Sequence, residues 1–290
     1  MYRRLIFAAS LITAVSSAMA IDLKPLWNFD DPLQSEQRFR SALLTATGDD
    51  AFILQTQIAR CYGLRAHFAE AQEILKSLEP QLQTAGNEAR IRYWLELGRT
   101  YSSATHSAES QTREAKERAR TAYTQAFETA KRAQLDGLAV DSLHMLAFVD
   151  TEPADQLKWG QAALEIAQAS SQPSAKSWEA SLRNNVGYAL HQLGRYEEAL
   201  VQFKQAVVLR ESGTDVQATR IAHWMVGRSL RALNRIDEAL EIQLRLEREG
   251  EAAGTPSPYV FEELELLYRA KGDQKRADQY AELRKSLAKQ

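Results

Sequence analysis

The stretch NNVGYALHQLGRYEEALVQFKQAVVLRE, residues 184–211, decides how this chain is read. In it small residues stand at Gly187, Gly194, Ala199 and Ala206, with Tyr196 and Phe203 set between them. Small side chains let two helix backbones approach while their neighbours interdigitate. A glycine between two apolar-periodic runs marks a helix stop, where a left-handed conformation is common. The pattern predicts helix, tight turn, helix: an antiparallel pair with Gly187 and Ala199 at the closest approach. Tyr196 and Phe203 are expected to fill the gap between one pair and the next. A single such pair cannot bury its own apolar stripe, so further copies should stack on it.

Self-comparison supplies them. Aligned on Gly187, an apolar-small step recurs at Ile58-Ala59, Leu97-Gly98, Leu146-Ala147, Val186-Gly187 and Val226-Gly227, and a degenerate copy has Leu264-Glu265. Successive spacings are 39, 49, 40, 40 and 38 residues. Twelve residues after the small position comes an alanine in four copies, Ala71, Ala199, Ala239 and Ala277. In the second copy it is displaced by nine, to Ala119, and the polar stretch THSAESQTREAK (105–116) carries the excess.

Composition agrees with an all-α chain. Good helix formers dominate, and no period-two run is long enough for a sheet. The formal net charge of −2 gives no nucleic-acid footprint. Residues 1–20 read as a secretory signal peptide: Arg3 and Arg4, the short apolar run LIFAASLITAV (5–15), then Ala18-Met19-Ala20 as the cleavage site. The apolar run falls short of the roughly 20 residues needed to span a bilayer. Cleavage would remove both arginines and take the formal charge from −2 to −4. The expected setting is export, with the periplasm favoured over secretion and no stable membrane insertion afterwards. The single cysteine, Cys61, cannot pair within the chain and reads as a buried small hydrophobe. Residues 21–50 read as a lead-in with one helix near 34–45, and residues 51–290 as the repeat array, divergent around 100–170.

The spacing of Gly187, Gly194, Tyr196, Ala199, Phe203 and Ala206 resembles the tetratricopeptide repeat. Residues 180–213 match closely. Residues 220–253 match with Asn234 in place of the turn glycine and Ile236 in place of the aromatic. Residues 52–80 and 258–287 match moderately. The resemblance implies a right-handed superhelix of antiparallel helix pairs, about six here, with Trp94 at a packing position. It also implies that a ligand lies on the concave face, along the first helix of each pair. Carried over by position, that face would hold Arg60, Arg99, Asn184, Asn185, Tyr188, Trp224 and Arg228, with Gln57, Glu96, His144, Met145 and Met225 beside them. The family's carboxylate grip is incomplete, because Ile221 and Met225 stand where its Lys and Arg would be.

No phosphate loop, GxSxG, HExxH or CxxC is present, and none of the five histidines is spaced as a metal pair. The expectation is therefore a non-enzymatic interaction module or scaffold of the bacterial cell envelope, with no cofactor and no metal. It would bind a protein or peptide segment, and acidic groups on that segment would suit the arginines. The alternative expectation is a small-molecule sensor or carrier, with a pocket near His144, Met145 and Phe148. His144 itself is expected to hydrogen-bond near Asp141.

Overall fold

The computed structural model describes residues 21–287, and the signal peptide read at residues 1–20 lies outside them. Among the described residues the helices form a lead-in and six pairs. The lead-in is α1, Pro32–Leu43, whose first turn is capped by the Asp31 carboxylate accepting from Gln34 N. The pairs are α2 (Gly48–Leu64) with α3 (Phe68–Leu78), and α4 (Asn87–Tyr101) with α5 (Arg113–Ala133). Next come α6 (Asp136–Val149) with α7 (Pro153–Ala169) and, after the single turn α8 (Pro173–Lys176), α9 (Glu179–Gln192) with α10 (Tyr196–Glu211). The array closes with α11 (Val216–Ala232) and α12 (Ile236–Ala252), then α13 (Pro258–Ala270) and α14 (Gln274–Leu287). Each second helix packs against its own first helix and the first helix of the next pair. The first helices thereby form an inner layer.

The turns follow the repeat register. Seven residues after the register position in four of the six copies, Ala66, Gly194, Asn234 and Gly272 all have positive φ, between 58° and 76°. Gly194 and Gly272 adopt this freely, and Asn tolerates it; Ala66 does so at a cost of about 1 kcal/mol. The third pair departs from the rule and turns through Thr151 and Glu152 into Pro153, which starts α7. The polar insertion is a loop that ends at Thr112, whose hydroxyl accepts from Ala115 N to start α5.

The close approach at Gly187 is real, and its partner is Phe203. A Cβ at Gly187 would lie 2.6 Å from Phe203 Cε1, so the ring sits on the glycine of its own pair. Tyr123 does the same over Gly98, which explains the nine-residue displacement as a shift of the whole second helix. Tyr196 packs edge-on against the His191 ring across its own turn, centroids 4.9 Å apart. Gly227 faces the buried Gln243 amide where the second and fourth pairs place an aromatic ring.

The core runs along the array with little interruption. One cluster, from Leu23 and Phe39 to Tyr93, joins the lead-in to the first pairs, and a second runs from Ile91 to Leu267. Trp94 is only partly buried and packs against both, so it seals a seam and is not itself core. Cys61 is buried among apolar neighbours, and burial pushes its thiol up to about 12.

Candidate functional site

The inner layer is cross-linked by polar side chains from one first helix to the next. Glu96 of α4 accepts from Arg99 Nη1 at 2.6 Å, and Arg60 Nη1 of α2 lies 3.6 Å from the same oxygen. Arg99 Nη2 reaches across to Asp141 of α6 at 2.6 Å. His144 meets Asn185 of α9 at 3.4 Å. Farther along, Arg231 of α11 holds both oxygens of Glu263 on α13 at 2.6 and 2.9 Å. Trp224 Nε1 donates to Tyr259 O at 3.1 Å.

These links sort the expected groove residues. Arg99 has 12% of its side chain exposed and sits between two buried carboxylates. Burial disfavours charge on both Arg99 and Asp141, but their mutual attraction wins: Arg99 is held well above its ordinary range, and Asp141 below its own. Arg60 shares Glu96 and has its guanidinium 5.4 Å from the Trp27 ring and 5.6 Å from that of Phe29. Burial, with the neighbouring Arg99 charge, shifts Arg60 downward. Arg60 and Arg99 therefore spend their charge inside the protein.

Gln57, Glu96, Met145 and Met225 are buried beneath the face, which corrects their expected place on it. The partner of His144 is Asn185, since Asp141 is taken by Arg99. Burial is the main reason that the His144 imidazole is shifted toward its neutral form. The His144 ring also packs on Phe148 and Trp178, with both centroid distances 5.1 Å.

Asn184, Asn185, Tyr188, Trp224 and Arg228 do share the surface of α9 and α11. Asn185 is exposed, and Tyr188 is 39% exposed. Asn184 Oδ1 is buried without a hydrogen-bond partner. Arg228 lies over the Trp224 ring at 5.4 Å and has no carboxylate partner among the described residues, while Glu263 pairs with Arg231. Burial and the charges of Arg228 and Arg231 keep His191 shifted toward neutrality.

Three cavities open along the inner layer. One of about 210 Å³ lies among Arg60, Arg99, Met145 and Phe148. One of about 170 Å³ lies on the other side of Phe148, against His144, Asn185 and Tyr188. The largest of the three, about 290 Å³, lies between α11 and the start of α13, walled by Ile221, Trp224, Leu246 and Tyr259. Sequence reasoning missed Trp27, Phe29 and Tyr259. The register did carry one signal: Tyr259 follows Pro258 at the second position of the last copy. The lead-in aromatics fell outside any repeat.

Among the described residues no group of three His, Cys, Asp or Glu side chains could hold a metal ion, and no helix is long and apolar enough to cross a membrane.

The tetratricopeptide repeat family profile matches residues 178–247. No curated protein matches the sequence. Among solved structures, the chain is similar to the STAND protein with a tetratricopeptide repeat sensor from Pyrococcus horikoshii: 14% identity, TM-score 0.68, covering 87% of this chain and 38% of that one. It is similar to the apo form of RapI at 13% identity and TM-score 0.66, covering 87% of this chain and 69% of that one. A Rap protein complexed with Competence and Sporulation Factor gives 19% identity and TM-score 0.54, with the same coverage of 87% and 69%. At these identities the likeness is one of fold. Residues 178–247 match the tetratricopeptide repeat model, and the described chain as a whole has a tetratricopeptide-like fold, a superhelix of stacked antiparallel helix pairs.

Proposed function

We propose that this protein is a non-catalytic interaction module of the bacterial cell envelope that holds a protein or peptide segment along its inner face. One observation carries the reading: α9, α11 and α13 present Tyr188, Ile221 and Tyr259 to solvent beside the uncompensated Arg228. Exposed aromatic and aliphatic surface next to an unpaired cation suits a segment with apolar and acidic groups. The likeness to a Rap protein solved with a bound factor supports the same use of the fold.

Export rests on the leader at residues 1–20. Ile21 N donates to Asp50 Oδ1 at 3.2 Å, so a chain cleaved after Ala20 would bring its α-ammonium to a carboxylate. Intact mass of the protein from a periplasmic fraction should correspond to a chain beginning at Ile21. A full-length mass there would refute cleavage at this site.

The experiment for the binding reading is affinity capture from envelope extract with three baits. These are the parent, an inner-face variant (Tyr188→Ser, Ile221→Ser, Arg228→Glu) and an outer-face variant (Val201→Ser, Val208→Ser). A partner held by the parent and the outer-face variant, and lost from the inner-face variant, supports the proposal. Loss from the outer-face variant alone overturns it. The second reading, a small-molecule pocket by the third pair, has Phe148 between two spaces of about 210 and 170 Å³. Each is below the roughly 300 Å³ at which ligand pockets begin, which favours the peptide.

A further inference from the structure

The two halves of the inner face differ in charge and cover. Toward the N-terminus Arg60, Glu96, Arg99 and Asp141 neutralise one another, and Trp27 and Phe29 lie against Arg60. Toward the C-terminus no carboxylate among the described residues pairs with Arg228, and Glu263 pairs with Arg231. The Trp224 ring beneath Arg228 forms a wall of the 290 Å³ cavity. Tyr259 forms another, edge-on to Trp224 with ring centroids 5.9 Å apart.

We infer that this cavity is the anchor subsite of the proposed groove, and that its ligand is an aromatic side chain flanked in the same segment by a carboxylate. The inference rests on the inner-face reading and narrows it to α11 and α13. The cavity is roomy for a branched aliphatic chain, and its two ring walls meet a third ring in the edge-to-face and offset geometries that aromatic groups prefer. Arg220 is fixed at the rim by donating to Glu249 O at 2.9 Å and to Thr255 Oγ1 at 3.3 Å. Its Nε is buried and lies 3.9 Å from Glu249 Oε2, so this guanidinium is already paired. Arg228, over the Trp224 ring, is a cation beside this wall that no carboxylate pairs among the described residues. An ion pair there is partly exposed, so it selects more than it binds.

The test uses ¹⁵N-labelled protein and three dipeptide probes, each N-acetylated and C-amidated: phenylalanyl-aspartate, phenylalanyl-asparagine and alanyl-aspartate. The chain has five tryptophans, so the indole N–H region is simple, and the Trp224→Phe variant assigns the signal of interest. Phenylalanyl-aspartate should shift the Trp224 indole. Phenylalanyl-asparagine should bind about three- to fivefold more weakly, the size of an exposed ion pair, and alanyl-aspartate should leave the signal in place. In Arg228→Gln the aspartate and asparagine probes should bind alike, while the phenylalanyl contribution persists. That persistence separates loss of the charge from loss of the fold. Equal binding of the two phenylalanyl probes to the parent overturns the charge assignment. Shifts confined to Asn185 and Tyr188 overturn the cavity assignment and leave the inner-face reading standing. No shift with any probe overturns the anchor subsite, and the capture experiment still judges the groove.

Discussion

Replacing Arg99 by Met should unlock the inner layer between α4 and α6. Arg99 holds Asp141 at 2.6 Å and Glu96 at 2.6 Å, and both carboxylates are buried. Breaking a buried ion pair by removing one partner costs about 3–5 kcal/mol, because the other charge stays behind uncompensated. Glu96 keeps Arg60 at 3.6 Å, whereas Asp141 loses the only side chain among the described residues that hydrogen-bonds to it. The lower end of the range, about 3 kcal/mol, is therefore expected. The pH dependence gives the diagnosis. In the parent, attraction from Arg99 outweighs burial and holds Asp141 below its ordinary 3.8. A lowered carboxyl stabilises above its unfolded value, and that contribution is lost as pH falls through the folded one. In Arg99→Met burial acts on Asp141 with the main attraction gone, so the carboxyl rises and penalises folding at neutral pH. The difference between the two proteins should be widest near about pH 7 and should shrink below about pH 4. Urea unfolding followed by circular dichroism at both pH values measures it. Adding Asp141→Leu should restore much of the loss, as apolar replacement of buried pairs often does. A loss under about 1 kcal/mol at neutral pH would refute the reasoning, since it is the size of a solvent-screened surface pair.

Other expectations follow from single positions. Gly187→Ala puts a Cβ 2.6 Å from Phe203 Cε1; overpacking costs about 1–3 kcal/mol, offset by about 1 kcal/mol of helix propensity, and Phe203→Leu should relieve it in a double-mutant cycle. Ala66→Gly, at φ 61°, should raise stability by about 0.5 kcal/mol or more in the same melts, and Gly194→Ala, at φ 72°, should lower it by about 1 kcal/mol. Cys61, buried and with its thiol pushed up to about 12, should resist a disulfide reagent at mildly alkaline pH until denaturant is added. Reaction at the rate of a free thiol in the native protein would contradict its burial.

The repeat register made most of the fold legible, because the constraint acts at fixed offsets. A small residue is needed where two helices of a pair touch, and a left-handed residue seven positions later. Gly187 with Gly194 and Gly227 with Asn234 show both. Even the displaced Ala119 told the truth, since Tyr123 keeps the same offset from it that Phe203 keeps from Ala199. The site was legible only as a face. Position in the repeat placed Arg60, Arg99 and Arg228 on the inner layer but not what each one meets. Arg99 and Asp141 are 42 residues apart, and whether a carboxylate from the next helix reaches an arginine depends on how the pairs stack. The same limit hid the lead-in, where Trp27 comes to Arg60 from outside any copy.

The most direct test of the central claim is amide hydrogen exchange on the captured complex compared with the free protein. The account predicts slowed exchange in α9, α11 and α13, centred on 216–232 and 258–270, with α10 unchanged. Slowing confined to α10 and α12 would place the partner on the outer face and contradict it.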